Sequence, residues 1–416
     1  MEDSQVRTKF WVVAYALLGL AVATISFPIL VNSISIVVLA LAIIVLAIRE
    51  GIPRPWHQNK IYVLLVLLYL VWLASSLFSG NFADLDRIGV QKLSLLVFPF
   101  AFLVLQPTRK HLNELGLFFL CGTLLVSLVL YGNAFYAILF DRFVLKHLFS
   151  WWFQGVRFVD WWPIQTGYLA YCNVIAIGIA AGRLLERPGR RRGIFLIFSI
   201  CVLVLSTIQL GSRMAILALF LALVVTVSVS FIFSRSIKLL IGGLLITALA
   251  LGSLSQFSTL VLRLKNGLGT QTTMGSDGKA ASNIGSRLAL VEAGIAVWSE
   301  KPILGQGHTN GKKELLDYYE EHNMIWAQDH RYNVHNQYLQ QAVESGILGF
   351  LALFLLFIIA IIGAIREKNL LAIFALVAFG FFLLTECVLN RHWGLVLFAF
   401  CMAYLGSLLY DQRQNE

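Results

Sequence analysis

The chain has 416 residues, of which 58% are hydrophobic and 13% charged, and its formal net charge is +10. Soluble domains carry about 25% charged residues, so this sequence has too little polar surface to fold as a soluble protein of this length. A soluble nucleic-acid-binding scaffold, a secreted disulfide-rich domain and a disordered chain are therefore excluded, and a polytopic membrane protein remains.

Twelve apolar stretches are long enough to cross a bilayer as helices, since one crossing needs about 20 apolar residues. Their centres lie near residues 18, 39, 69, 97, 122, 175, 201, 222, 247, 353, 380 and 401. The predicted fold is an all-α polytopic membrane protein with about twelve transmembrane helices. We divide it into helices one to nine in residues 1–256, a large loop domain in residues 257–340, and helices ten to twelve in residues 341–416.

The distribution of basic residues predicts the orientation of these helices. If the N-terminus is cytoplasmic, 17 Lys and Arg residues lie in inside loops and seven lie in short outside loops. Cytoplasmic loops are enriched in Lys and Arg, so we expect both termini inside and the loop domain outside. The run Arg190-Arg191-Arg192 is interpreted as a topology anchor, and orientation accounts for most of the positive net charge.

An aromatic segment, residues 141–165, lies between the fifth and sixth predicted spans. It contains two tryptophan pairs, Trp151-Trp152 and Trp161-Trp162, and few charges. Tryptophan is enriched at the boundary between membrane and water. We therefore expect this segment to lie in the outer membrane interface.

Two arginines are candidates for a functional site on the outer side. Arg213 directly follows span seven. An arginine at this position contacts either lipid headgroups or the ligand of a functional site. Arg287 begins a helical pattern that Ser286 or Ser282 can cap. The predicted buried face of this helix consists of Leu288, Val291, Ile295 and Trp298. A cation at a helix start opposes the helix dipole, an arrangement that an anion in the same site would favour.

His335 lies in a polar run that extends from Asn333 to Gly346. We predict Asn333 as the N-cap of a helix and His335 in its first turn. There the positive end of the helix dipole keeps the imidazole neutral at pH 7. A neutral imidazole suits general-base catalysis, and the alternative is a polar or capping histidine without chemistry.

A recognisable pattern of residues extends from Arg287 to Gly349. It comprises Arg287 to Trp298, Pro302, Gly305, Gly307, His335-Asn336, Leu339 and Gly346-Ile347-Leu348-Gly349. The pattern resembles the Wzy/WaaL superfamily of O-antigen ligases, O-antigen polymerases and protein O-oligosaccharyltransferases. The layout of twelve spans, with a large outer loop before the last three, extends the likeness to most of the chain.

The resemblance implies a membrane glycosyltransferase fold of the GT-C-like type. It also implies metal-independent, inverting transfer of a glycan from undecaprenyl diphosphate to a hydroxyl of lipid A–core, with no cofactor. The expected location is the periplasmic face of the Gram-negative inner membrane, and the expected partners are the donor, the acceptor and membrane lipids, with no nucleic acid.

The same resemblance assigns roles to individual residues. His335 is the implied catalytic base, and Arg213 and Arg287 bind the diphosphate and stabilise its leaving charge. Arg157 and Arg263 either hold diphosphate or lipid phosphates or make plain contacts with lipid headgroups. Two further polar residues, Asn336 and His308, are assigned supporting roles.

Two alternatives to a ligase remain open from the sequence. A polymerase or a protein O-oligosaccharyltransferase of the same superfamily differs in its acceptor. A transporter of lipid-linked glycan, without chemistry, predicts ionisable residues near the midplane of the spans, and Glu386 in span eleven is the candidate.

A metal site is not predicted. Four histidines share the loop domain, but none are spaced i and i+4 as in a helical zinc site: His308, His322, His330 and His335. The triplet Asp84-Leu85-Asp86 has the D-x-D form of some metal-dependent glycosyltransferases. Such a triplet occurs readily by chance among 22 acidic residues.

Overall fold

The computed structural model describes residues 2–51, 56–80, 83–140, 144–145, 148, 150–234 and 283–411. Within these ranges the chain forms α-helices joined by turns and short 3₁₀ segments, and these residues contain no β-strand. The expectation of an all-α protein is therefore confirmed for the part of the chain that the structure describes.

The described residues before 235 form α1 (Glu2–Ala23), α2 (Ile29–Glu50), α3 (Lys60–Phe78), α4 (Ala83–Gln91), α5 (Ser94–Leu105), α6 (Arg109–Phe140), α7 (Thr166–Leu185), α8 (Arg190–Gln209) and α9 (Arg213–Ser234). Those from 283 onward form α10 (Asn283–Glu300), α11 (His308–Glu321), α12 (Ile325–Asp329), α13 (Gln337–Arg366), α14 (Leu370–Thr385) and α15 (His392–Asp411).

Eight of the described helices are long and apolar enough to cross a membrane: α2, α3, α6, α7, α8, α9, α13 and α15. Three further predicted spans coincide with shorter apolar helices, at Lys9–Ala23, Ser94–Leu105 and Leu370–Thr385. The span predicted near residue 247 and the start of the loop domain lie outside the described residues. A polytopic membrane protein is thus supported, and the count of twelve and the domain limits stay predictions.

Local sequence accounts for several helix starts. The side chain of Asn59 accepts a hydrogen bond from the backbone of Tyr62 at the start of α3. Asn369 does the same for Ala372 at the start of α14. Each N-cap of this kind contributes about 1 kcal/mol. Pro28 precedes α2, a position where its missing N–H leaves no hydrogen bond unmade.

The main apolar core surrounds α15, whose apolar stretch is almost wholly buried. Phe398 and Met402 of this helix are fully buried. Around it, α3 packs on α13, α7 packs on α8, and α9 packs on α14. A helix that is apolar on all sides needs such a central position, because each of its faces must be covered.

A second apolar cluster lies beside the main core, and we call it the loop cluster. Its buried members are Leu290, Ala293, Val297, Leu315, Tyr319, Met324, Ala327, Val334, Val343 and Cys387. It joins α10, α11 and α12 to α13 and to the residues that follow α14. Val334 directly precedes His335 in the chain, and Cys387 directly follows Glu386.

The buried face of α10 differs from the predicted one. Leu288 and Ile295 are about half exposed, at 54% and 50% of their surface, whereas Leu290, Ala293 and Val297 are buried. Both sets of residues have helical spacing, because α10 is apolar on two sides. The periodicity therefore predicts the helix, but its packing against α11 and α13 determines which of the two apolar faces is buried.

The described part of residues 141–165 forms two 3₁₀ turns, Trp151–Phe153 and Gly155–Phe158. Phe153 and Phe158 point into the protein, while Trp152 and Trp161 are exposed. Buried phenylalanines anchor the segment and leave tryptophan rings on the outside. This division agrees with an interfacial segment, and its placement in the membrane stays a prediction.

Candidate active site

The helix that follows His335 begins later than predicted. Asn336 is its N-cap, since the side-chain oxygen accepts a hydrogen bond of 3.1 Å from the backbone of Leu339. The Asn333 side chain instead accepts from the backbone N–H of His335, at 3.1 Å. The prediction that Asn333 caps the helix and that His335 lies in its first turn is therefore wrong. Asn336, which is predicted to support the site, is this N-cap, and its role in a reaction stays a prediction.

His335 adopts a left-handed backbone conformation, with φ of +48°. Non-glycine residues with positive φ are uncommon, and they persist where the surrounding structure constrains them. This conformation is not helical, so α13 does not extend back to His335. The imidazole has its hydrogen-bond partner elsewhere in the chain.

That partner is Glu386. The Nδ1 atom of His335 lies 3.2 Å from one carboxylate oxygen of Glu386, and the guanidinium of Arg287 lies 3.7 Å from the other. All three side chains are partly exposed: 24% of His335, 32% of Glu386 and 35% of Arg287. One carboxylate thus joins the histidine and the arginine that the sequence identified separately.

Arg287 is held by a second contact. It donates a hydrogen bond of 2.8 Å from Nη1 to the backbone carbonyl of Thr385, the last residue of α14. The last carbonyls of a helix lack partners within the helix and favour a cation. Arg287 itself lies in the second turn of α10, which begins at Asn283. The expectation that Arg287 opens the helix under a Ser286 cap is therefore wrong, and Ser282 lies outside the described residues.

The geometry at His335 has a direct chemical consequence. A carboxylate only accepts hydrogen bonds, so the contact with Glu386 places a proton on Nδ1 of His335. In the neutral ring the Nε2 atom is then the acceptor and can take a proton from a substrate. A carboxylate at this distance would also stabilise an imidazolium at His335, as the acidic member of a hydrolase triad does.

Arg213 is the first residue of α9, and its connection to the site runs through Tyr171. The Tyr171 hydroxyl donates a hydrogen bond of 3.2 Å to the backbone carbonyl of Met214. The ring of Tyr171 stacks on Phe382, with centroids 3.3 Å apart. Phe382 lies one helical turn before Glu386, so the first turn of α9 lies beside the end of α14 that carries the site.

The other predicted site residues have different positions. The Arg157 guanidinium is exposed and lies over the ring of Trp152, 5.5 Å from its centroid. Arg263 lies outside the described residues. His308 is the first residue of α11, and its Nδ1 atom lies 3.1 Å from the buried carboxylate of Glu344.

The glycine turn before α11 packs backbone to backbone against α13. Gly346 interrupts α13 with a φ of +62°, and Ile347 consequently donates to the carbonyl of Pro302. The freed carbonyls of Val343 and Glu344 accept hydrogen bonds from the backbones of Gln306 and Gly307. A Cβ atom on Gly346 would lie 2.1 Å from the Ile303 carbonyl oxygen. A Cβ atom on Gly305 would likewise lie 2.5 Å from the backbone nitrogen of Gly346, so both glycines allow this close approach.

No group of three or more His, Cys, Asp or Glu residues that could hold a metal occurs among the described residues. The side chains of Asp84 and Asp86 are outside the part that the structure describes. The prediction that the protein acts without a metal therefore stays a prediction, and activity in the presence of EDTA would test it.

Sequence reasoning considered Glu386 only as a coupling residue within span eleven. In the structure α14 ends at Thr385, and Glu386 is the extended residue directly after it. The local signal was present, since an acid at the end of an apolar helix needs a partner. The partners themselves lie 51 and 99 residues earlier in the chain, beyond the reach of any local pattern.

Comparison with known proteins yields a family match. Residues 194–354 match the family model described as O-Antigen ligase, Wzy_C. This range contains Arg213, Arg287 and His335. The region that follows it, with Glu386, lies outside the match. No curated protein matches the chain.

Proposed function

We propose that this protein is an O-antigen ligase, because residues 194–354 match the family model described as O-Antigen ligase. It transfers a glycan from undecaprenyl diphosphate to a hydroxyl of lipid A–core. The observation that carries this proposal is the contact of one carboxylate, Glu386, with both His335 and Arg287. A base and an anion-binding cation thereby lie side by side.

The reaction requires one bond to break and one to form at the anomeric carbon. The acceptor hydroxyl attacks this carbon while the bond to the diphosphate oxygen breaks, and Nε2 of His335 takes the hydroxyl proton. Attack opposite the diphosphate inverts the anomeric centre. Glu386 stabilises the imidazolium, and the proton later passes to solvent.

The leaving group needs positive charge and not an acid. A diphosphate ester is already activated, so the charge that develops on its oxygens is stabilised by fixed donors. Arginine presents a planar set of N–H groups that matches phosphate oxygens. Arg287 supplies this function beside Glu386, and Arg213 supplies it from the first turn of α9.

The proposed location is the periplasmic face of the inner membrane, with both termini cytoplasmic. The positive-inside count supports this orientation, and the apolar helices support membrane insertion. Arg157, over Trp152 in the aromatic segment, is proposed to bind donor or lipid phosphate, and Arg263 is proposed to do the same.

A reconstituted transfer assay tests the proposal. Purified protein is mixed with polyprenyl-diphosphate glycan and lipid A–core in EDTA, and products are separated by gel. We expect glycan on lipid A–core with wild type and none with His335→Ala. His322→Ala is the matched control, because His322 is an exposed histidine on the outer surface of the same region.

The alternatives give different products in the same assay. Lengthening of the donor glycan, without labelled lipid A–core, would identify a polymerase. Transfer that requires a divalent metal would contradict the metal-free mechanism. Donor movement across vesicles without any transfer would identify a transporter.

A further inference from the structure

Glu344 is a fully buried carboxylate close to the candidate active site, with 1% of its side chain exposed. It accepts hydrogen bonds from Trp72 Nε1 at 3.0 Å, Gln340 Nε2 at 2.7 Å and Asn390 Nδ2 at 2.6 Å. His308 Nδ1 lies 3.1 Å from the same group. A carboxylate has about four acceptor positions, and three of them are used by these hydrogen bonds, with the His308 ring close by.

A buried cation lies next to this carboxylate. Lys92, 1% exposed, donates to the backbone carbonyl of Leu389 and to the side chain of Asn390. Its ammonium also lies over the ring of Trp72, 4.2 Å from the centroid. Burial lowers the pKa of Lys92 to about 8, and the Glu344 carboxylate opposes this shift. A buried pair of opposite charges therefore shares Asn390 and Trp72.

Gln340 connects this buried group to the active site. Its amide nitrogen donates to Glu344. Its carbonyl oxygen accepts from the backbone N–H of Val334 and lies 3.7 Å from Cys387 Sγ. Val334 directly precedes His335, and Cys387 directly follows Glu386. One amide side chain thus contacts the chain neighbours of both the base and the carboxylate that orients it.

The segment after Glu386 is held from a second direction. Leu389 donates its backbone N–H to Gln337 at 2.7 Å, while its carbonyl accepts from Lys92. Asn390 is bonded to both Lys92 and Glu344. These residues form a short 3₁₀ turn, Val388–Asn390, with few hydrogen bonds of its own. The buried cluster therefore supplies much of what fixes this turn.

We propose that Glu344 is a positioning residue for the reaction, which sets the separation of His335 and Glu386 through Gln340 and Asn390. The inference rests on the proposed function. A carboxylate suits this position because three donors and the ring of His308 converge on it. In Glu344→Gln, one acceptor becomes an NH₂ group that faces other donors, and the cluster must rearrange.

Steady-state kinetics of Glu344→Gln test this role. Small displacements of a catalytic group from its working geometry cost about 100-fold in rate. We expect kcat to fall by about 10- to 100-fold with KM for both substrates nearly unchanged, since the Glu344 side chain is only 1% exposed. Glu300→Gln is the matched control, because Glu300 also accepts a glutamine hydrogen bond, from Gln306 at 3.0 Å, but on an exposed surface.

A second variant guards against loss of folding. Removal of a buried charge destabilises a protein strongly, so Gln340→Met is tested in parallel, because it cuts the connection and leaves both charges in place. We expect a fall in kcat in the same direction. Unchanged kcat per folded molecule in both variants, with only a lower melting temperature, would overturn the proposal and leave Glu344 a structural residue.

A readout without turnover separates this inference from the proposed function. Diethyl pyrocarbonate modifies histidine, and mass spectrometry follows the rate at His335 alone. We expect both variants to modify faster than wild type, because the ring is held less firmly against Glu386, while Glu300→Gln matches wild type. If wild type transfers no glycan, the proposed function fails. Equal rates of His335 modification in wild type, Glu344→Gln, Gln340→Met and Glu300→Gln would overturn the positioning role, whatever the outcome of the transfer assay.

Discussion

Replacement of Glu386 by glutamine removes the charge that faces the His335 imidazole and keeps the size of the side chain. The carboxylate lies 3.2 Å from Nδ1 of His335, and in the proposed mechanism this ring becomes an imidazolium in the transition state. The amide of Glu386→Gln can still accept a hydrogen bond, so the ring orientation is largely kept. The loss in rate then measures the electrostatic contribution.

The size of that contribution follows from the geometry. Opposite unit charges 3.2 Å apart interact by about 5 kcal/mol at an effective dielectric constant of about 20. The two side chains are 24% and 32% exposed, so solvent screening reduces the interaction, and we take about half of it, 2–3 kcal/mol. This range corresponds to a fall in kcat of about 30- to 160-fold.

The assay is transfer of glycan to lipid A–core at saturating donor and acceptor, normalised to folded protein. Glu320→Gln is the control, because Glu320 also accepts a side-chain hydrogen bond, from Gln328, and is exposed. Glu386→Asp, which keeps the charge at a greater distance, should fall between glutamine and wild type. A kcat for Glu386→Gln within about threefold of wild type would refute the assignment of Glu386 to the stabilisation of His335.

Two further predictions concern Arg287 of the site and Lys92 of the buried cluster around Glu344. Arg287→Lys keeps a positive charge but loses the planar guanidinium that bonds Thr385 and faces Glu386. We expect kcat/KM for the diphosphate donor to fall by about tenfold or more, while the surface control Lys301→Ala keeps the wild-type value. A wild-type kcat/KM in Arg287→Lys would contradict this prediction. The pKa of Lys92 is about 8 when folded and 10.5 ordinarily, so between these values the unfolded chain binds more protons and stability rises with pH. Thermal unfolding of wild type relative to Lys92→Met should therefore improve from pH 7.5 to pH 10, and a decline would show that Lys92 gains more from its charge than burial costs.

Several features of the site could be predicted from local sequence. His335 and Arg287 stood out because charged and polar groups are rare in this chain and their spacing resembled a known pattern. Their immediate backbone setting was less predictable. The start of α13 depended on which of two asparagines caps the helix, and Asn336 does so because its side chain reaches the backbone of Leu339. Both candidates are asparagine, a residue type that is common at helix N-caps, so the sequence does not distinguish them.

The apolar helices follow from sequence alone, because a helix that crosses a bilayer requires a long run of apolar residues and satisfies its backbone hydrogen bonds internally. The chemistry of the site follows only from the tertiary structure. Glu386 meets His335 and Arg287 where α14 ends, and Glu344 meets Trp72, 272 residues away, inside the packing of α3 on α13. Such contacts are set by how helices pack, and packing depends on the shapes of all the facing side chains together, which no single stretch of sequence contains.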